Sequence, residues 1–284
     1  MQVLRTVDEA RGALAPVRRA GRSVGCVPTM GALHEGHLSL LRRAREECDV
    51  VVLTIFVNPT QFAPGEDLAR YPRRERDDLV LAAREGVDFV FAPTAEEMYP
   101  AGALTTVRVA ELTEGLCGPH RPGHFEGVAT VVAKLLNIAT PDRAYFGEKD
   151  YQQLQVIRRM AWDLNLPVAI VGCPTVREAD GLALSSRNAF LSPEERRAAP
   201  ALHRALRRAA EMVAGGGTAA EAEAAVRTAL AAEPGFQLQY AEARRPETLR
   251  RDDTPGPPMV IAAAAYLGGT RLIDNVIVEK DPSG

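Results

Sequence analysis

Pro28-Thr29-Met30-Gly31-Ala32-Leu33-His34-Glu35-Gly36-His37 follows a short apolar run, 24–27. It precedes a stretch in which Leu41, Ala44 and Cys48 recur at helical spacing among arginines and glutamates. Apolar run, glycine-bearing turn and amphipathic helix in that order make one strand–turn–helix unit, and the apolar run 50–57 adds the next strand. Further strands are expected at 87–91, 144–146 and 168–171, and helices at 128–138 and 151–164, the latter ending ahead of Pro167. Short apolar strands alternating with amphipathic helices over residues 1–175 predict an α/β fold, a doubly wound parallel sheet covered by helices.

Beyond Thr175 the pattern changes. A polar loop leads to Ser192-Pro193-Glu194-Glu195, an N-cap residue followed by proline at the first helical position. Two alanine-rich helical stretches flank Gly215-Gly216-Gly217, and strand character returns at 237–243, 259–266 and 271–278, with Gly268-Gly269 suited to a hairpin. Two domains are expected: 1–175, and a smaller C-terminal α/β domain over 176–284.

Composition bounds the function. The chain has 284 residues, 46% of them hydrophobic and 25% charged, as an ordinary globular protein has. Its formal net charge of −3 argues against a duplex nucleic-acid binder, which needs a cationic excess. A small anionic ligand needs only a few placed cations. Cys26, Cys48, Cys117 and Cys173 form no C-x-x-C pair and read as buried reduced thiols. Residues 1–20 lack an apolar signal segment, and no run approaches the ~18 apolar residues of a membrane span. A cytoplasmic protein without membrane or nucleic-acid partners is the expectation.

The opening stretch occupies the place where open α/β sheets bind ligands. Gly31 and Gly36 permit close backbone approach, and the helix that follows offers N–H groups and a positive dipole end to phosphate. His34 and His37 can donate hydrogen bonds to a phosphate chain as negative charge develops on it. His-x-x-His is also half of a metal site. A zincin, however, needs H-E-x-x-H, which 34–37 is not, and no third ligand lies nearby in the sequence.

His34-Glu35-Gly36-His37 resembles the H-x-G-H signature of class I adenylating enzymes and nucleotidyltransferases, which share a Rossmann-like fold. The whole decapeptide resembles that of the pantothenate synthetase family, and three later stretches extend the likeness from Pro28 to about Leu191. The resemblance implies an ATP-dependent ligase that activates pantoate as an acyl-adenylate and transfers it to β-alanine. It also implies Mg²⁺ on the triphosphate, without nameable protein ligands, and a homodimer assembled through the N-terminal domain.

Within that resemblance, Pro28, Thr29, Met30, Gly31, His34, Gly36 and His37 are expected to meet ATP. In Asn58-Pro59-Thr60-Gln61, whose carboxamides otherwise read as turn caps, Gln61 is expected to bind pantoate with support from Asn58. Tyr71-Pro72 and Asp77-Asp78 match a region over that site, although solvated charge reads equally well for the two acids. Gly147, Glu148, Lys149 and Asp150 open a helix after a strand; alone they fit a solvated first turn, but the resemblance gives them ATP contacts and gives Gln153 pantoate. Leu184-Ser185-Ser186-Arg187, otherwise a serine-rich hinge, resembles the K-M-S-K-S loop, with Arg187 following the leaving pyrophosphate. Val176 matches an adenine contact. His37, His34, Lys149 and Arg187 are the catalytic candidates, while Arg121 and His124 match family positions without an assigned role.

Two other readings stand beside this one. A nucleotidyltransferase acting on a phosphorylated acceptor would call for additional arginines where Gln61 and Gln153 stand. A non-catalytic nucleotide sensor would be supported by loss of His37, Lys149 or Arg187, all of which are present.

Overall fold

The computed structural model describes residues 1–280 and divides into two compact units. The first comprises Met1–Val109, Arg121–Glu148 and Val156–Pro174. The second comprises Ala110–His120, Lys149–Gln155 and the chain from Thr175 onward.

The first unit opens with β1 (Gln2–Leu4), α1 (Val7–Arg19), β2 (Val24–Thr29), α2 (Glu35–Glu47) and β3 (Val50–Ile55). It continues through α3 (Glu75–Arg84), β4 (Phe89–Phe91), α4 (Ala95–Met98), α5 (His124–Ala139) and β5 (Arg143–Gly147). Helix α6 (Tyr151–Asp163) and β6 (Ala169–Cys173) complete the series; the first turn of α6 groups with the second unit. Every strand pair in the sheet β1-β4-β3-β2-β5-β6 is parallel. Val27, Val51 and Leu53 pack with Leu38, Leu41 and Ala44 of α2 and Ala82 of α3. The intervening Val24, Cys26, Val50 and Val52 are equally buried and point to the other face. Burial on both faces is why these strands read as continuous apolar runs.

The sequence reading missed β1. Only Leu4 of its three residues is buried, and the strand is defined by pairing with β4, 85 or more positions away, rather than by its own pattern. From β2 the chain builds to one side through β3 and β4, and later to the other through β5 and β6. The order therefore reverses between β2 and β5, whose C-terminal ends border the crevice where such sheets take ligands.

The second unit contains α7 (Pro193–Ala198), α8 (Ala201–Ala214), α9 (Ala219–Ala231), β7 (Phe236–Arg244), β8 (Met259–Leu267) and β9 (Thr270–Val278). Ser192 and Glu195 close a capping box on α7, as do Thr218 and Glu221 on α9. With no helix between them, the strands form an antiparallel sheet, β7-β8-β9. Gly268 turns the β8–β9 hairpin at φ +56°, a conformation that L side chains rarely adopt. Leu202, Leu206, Val213, Val226 and Leu230 form one core with Met259, Ile261, Ala263 and Leu272. A fully buried leucine such as Leu206 contributes roughly 1.5–3 kcal/mol by burial. Among the described residues no helix is long and apolar enough to cross a membrane.

Candidate active site

Pro28 and Thr29 are the last residues of β2, and the chain then turns through Gly31 (φ +81°) and Ala32 (φ +51°) before α2. Side chains accept the N–H groups of residues 31 to 34. Thr29 Oγ1 takes the Gly31 N–H at 3.1 Å, and the Asp78 carboxylate takes those of Ala32 at 2.9 Å and Leu33 at 2.7 Å. His37 Nδ1 takes the N–H of His34 at 3.3 Å. His34 is itself the N-cap of α2, its Nδ1 accepting from the Gly36 N–H at 3.2 Å.

Two consequences follow. Because both Nδ1 atoms accept, each neutral ring carries its proton on Nε2, the edge that could donate to a phosphate oxygen. The ring centroids stand 4.1 Å apart, so the two imidazoles act at one place. Moreover, the expectation of open backbone N–H groups at this helix start needs revision. The Gly36 N–H is held by His34 Nδ1, and the N–H groups of Ala32 and Leu33 by Asp78. The loop therefore presents imidazoles rather than a bare backbone cradle.

The second motif follows β3. Asn58, 1% exposed, donates from Nδ2 to Gln61 Oε1 at 3.0 Å and to the Gly127 carbonyl at 3.1 Å. Its Oδ1 accepts from Thr60 and, at 2.8 Å, from Tyr99. Gln61 Nε2 lies 3.2 Å from Met30 Sδ, joining this motif to the first. The backbone of Gln61 is held as well. His124 Nδ1 and Arg121 Nη2 reach its carbonyl at 2.8 and 3.2 Å, and Arg121 pairs with Glu66. Since Arg121 can only donate, its 3.0 Å contact makes His124 Nε2 an acceptor and Nδ1–H the donor to Gln61. Burial pushes the Glu66 carboxyl up, but the hydrogen bond and charge of Arg121, with the Ala63 backbone, together outweigh this and hold it below the usual range. Arg121 and His124 thus brace the Gln61 backbone.

Gly147 ends β5, the neighbour of β2, so Gly147 and Glu148 share the strand-end border with residues 28–37. The remaining candidates belong to the second unit. There Lys149 and Asp150 complete a short 3-10 turn, with Lys149 Nζ 3.9 Å from Asp150 Oδ2, and half-buried Gln153 lies in the first turn of α6. Val176 and Leu184 are partners in a short hairpin, the Leu184 N–H donating to the Val176 carbonyl at 3.0 Å. Ser185 caps the 3-10 segment Ser186–Phe190, its Oγ accepting from the Arg187 N–H at 3.3 Å.

Residue Asn275 of β9 had drawn no attention in the sequence. Its Nδ2 donates to the Lys149 carbonyl at 3.0 Å, while its neighbour Asp274 accepts a bidentate pair from Arg177, beside Val176, at 2.7 and 2.9 Å. One strand thereby fixes both the Lys149 segment and the base of the 176–184 hairpin. His203 Nδ1 stands 3.3 Å from Asp274. Gln152 spans Leu112, Gly115 and Cys117 at 2.9 Å each, tying residues 110–120 to α6. The acids read as solvated charge split: Asp77 is exposed, whereas Asp78 is 2% exposed, and burial pushes its carboxyl up against the pull of the two N–H groups.

The family model described as pantoate-beta-alanine ligase matches residues 2–277. The pantothenate synthetase of Moorella thermoacetica is 55% identical over 280 residues, 98% of this chain and 99% of its own, and that of Dinoroseobacter shibae is 57% identical over 279 residues, 97% and 99%. Crystallographic pantothenate synthetase from Thermus thermophilus superposes with a TM-score of 0.93 at 52% identity over 99% of this chain and 100% of that one. The pantoate-beta-alanine ligase of Francisella tularensis, solved with beta-gamma ATP and beta-alanine, gives 0.82 at 35% identity over 99% of each chain. With a paired-histidine turn at the strand-order reversal and this agreement along nearly its full length, the chain belongs to the pantoate-beta-alanine ligase family.

Proposed function

We infer that the chain condenses pantoate with β-alanine at the expense of ATP, giving pantothenate, AMP and pyrophosphate through an enzyme-bound pantoyl-adenylate. The observation that carries this reading is the His34–His37 pair, rings 4.1 Å apart, at the β2/β5 border. A carboxylate is a poor acyl donor because oxide is a bad leaving group. ATP supplies a better one: a pantoate oxygen attacks the α-phosphorus, the bond to pyrophosphate breaks, and the resulting mixed anhydride yields to the amine of β-alanine with AMP departing.

In this reading the Nε2–H groups of His34 and His37 donate to triphosphate oxygens, where charge grows in the transition state. Lys149 and Arg187 supply cationic charge to the same phosphates, and Ser185 and Ser186 supply hydroxyl donors. Pro28, Thr29, Met30, Gly31, Gly36, Gly147, Glu148, Asp150, Val176 and Leu184 complete the ATP contacts. Gln61, oriented by Asn58, and Gln153 bind pantoate. Support for ATP and β-alanine comes also from the relative solved with both kinds of ligand.

Mg²⁺ enters as the counter-ion of ATP, held by phosphate oxygens and water. Among the described residues no three imidazole, thiol or carboxylate groups gather to cage it, and no step is assigned to it. Residues 1–175 carry nucleotide and pantoate, residues 176–284 act as a smaller lid domain, and the active form is a cytoplasmic homodimer. Light scattering tests the last point. The deciding experiment is an AMP-release assay with pantoate and β-alanine each omitted in turn, beside a nucleotide-soaked crystal. Triphosphate density distant from residues 28–37, 147–150 and 184–187 would overturn the site.

A further inference from the structure

We propose that Asp78 is a positioning residue for the paired histidines, its carboxylate clamping the turn that aims His34 and His37. The inference rests on the assignment of those histidines to ATP chemistry. Asp78 stands in the first turn of α3, forty-five and forty-six positions from the N–H groups it holds, at 2.7 Å (Leu33) and 2.9 Å (Ala32). Each carboxylate oxygen serves one donor, the strongest class of hydrogen bond for a backbone N–H.

The turn needs holding. Gly31 and Ala32 are both left-handed, at φ +81° and +51°, and for alanine that conformation is disfavoured. Successive N–H groups in such a turn converge into an anion-binding nest, and here the nest is filled by the protein's own carboxylate. Fit is close on the other side as well. A Cβ on Gly31 would come within 2.9 Å of Asp78 Oδ2 and 3.1 Å of Ile55 Cγ2, so the turn leaves room for the carboxylate and for no side chain.

Burial works against the charged form of Asp78, whose carboxyl is held above its ordinary range; an apolar residue would avoid that desolvation but would leave the Ala32 and Leu33 N–H groups without acceptors. What the carboxylate uniquely supplies is two acceptors for two adjacent N–H groups at the residue before the histidine N-cap. Together with Thr29 under Gly31 and His37 under His34, the N–H groups of residues 31 to 34 are all fixed by side chains. The imidazole edges inherit that fixity, as a pre-organised electrostatic site requires.

Asp78→Asn tests this, since it preserves volume but turns one acceptor into a donor facing an N–H group. The expected result is a fall in kcat of roughly ten- to a hundredfold, with pantoate KM changed less than about threefold. Melting temperature should fall only by the few degrees that one unpaired backbone N–H costs, and the amide proton resonances of Ala32 and Leu33 should move upfield. Asp78→Ala, measured the same way, should lose at least as much kcat. Normal kcat in a folded Asp78→Asn protein whose two amide resonances have moved would overturn the proposal. So would losses of kcat and melting temperature that run in parallel with a matching rise in KM, because a general structural role predicts that combination. A parent enzyme that releases no AMP from ATP, pantoate and β-alanine would instead refute the functional reading, while the amide shifts would still report on the clamp.

Discussion

The side-chain amide of Asn58 is bonded to that of Gln61, Nδ2 to Oε1 at 3.0 Å, and this bond decides which end of Gln61 is available to a ligand. With Oε1 engaged, Nε2 is the donor end, next to Met30 of the histidine loop. Gln61→Ala is therefore expected to raise pantoate KM more than it lowers kcat, by about tenfold or more if the lost bond is to a carboxylate. Asn58→Ala should reproduce part of that effect. It should also destabilise the fold by about 1–3 kcal/mol, because the Gly127 carbonyl and the Tyr99 hydroxyl lose a buried partner. Steady-state kinetics and urea unfolding read both. An Asn58→Ala enzyme with parental KM would separate Asn58 from pantoate binding.

His37→Ala and Lys149→Ala are expected to show the opposite emphasis. Both side chains are assigned to phosphate charge that grows in the transition state, so turnover should fall roughly a hundredfold or more while pantoate binding is little changed. Near-normal kcat with a raised pantoate KM in either variant would remove that residue from the phosphate site. Gln153→Ala should group with Gln61→Ala rather than with these two.

The Arg177–Asp274 pair in the second unit carries a stability prediction with a definite sign in pH. Burial pushes the Asp274 carboxyl up, but His203 and the bidentate Arg177 more than offset this and hold it below the usual range. A folded-state value below the unfolded one, about 3.9, means that ionised Asp274 favours folding at neutral pH. This contribution disappears as pH falls from about 4 toward the folded value. Arg177→Met leaves a carboxylate that is 4% exposed without its main cation, a change that typically costs about 3–5 kcal/mol. In the variant burial dominates, Asp274 titrates higher, and protonation relieves the penalty, so parent and variant should converge on acidification. Urea unfolding at pH 7 and pH 4 measures the gap; a gap of equal size at both would refute the assignment.

How much of this was legible in the sequence depends on distance along the chain. The strand–turn–helix order around Pro28, the Ser192 cap and the Gly268-Gly269 hairpin are local, and each carried its own signal in periodicity or turn chemistry. Strand β1 did not, because three residues cannot establish a period and its pairing with β4 is long-range. The same holds in the site. His34, His37 and Gln61 stood out as residue types in a motif, and Arg121, His124 and the Asp77-Asp78 pair as matches to family positions, but which residue aims which was not legible. Asp78 reaches the histidine turn from α3, Arg121 and His124 reach Gln61 from the start of α5, and Asn275 reaches Lys149 from 126 positions away. Nothing in the order Asp77-Asp78 says which acid turns inward. That choice is made by the packing of α3 beside α2.

The order of the chemistry is also open to a direct test. If the histidine turn and the Ser185–Arg187 loop act on pyrophosphate departing from the α-phosphorus, ATP and pantoate alone should yield enzyme-bound pantoyl-adenylate and one equivalent of pyrophosphate. β-Alanine would be needed only for the second step, in which its amine attacks the acyl carbon and AMP leaves. The competing route, transfer of the γ-phosphoryl group to give an acyl phosphate and ADP, is usually served by a P-loop whose lysine and hydroxyl address the terminal phosphates. No G-x-x-x-x-G-K-[ST] stretch occurs in the sequence. A rapid-quench single turnover without β-alanine, scored for pyrophosphate, ADP and the adenylate, separates the two. Pyrophosphate and adenylate should appear together at matching rates, and His37→Ala should slow both equally. Appearance of ADP, or silence until β-alanine is added, would refute the adenylate route while leaving the nucleotide site in place.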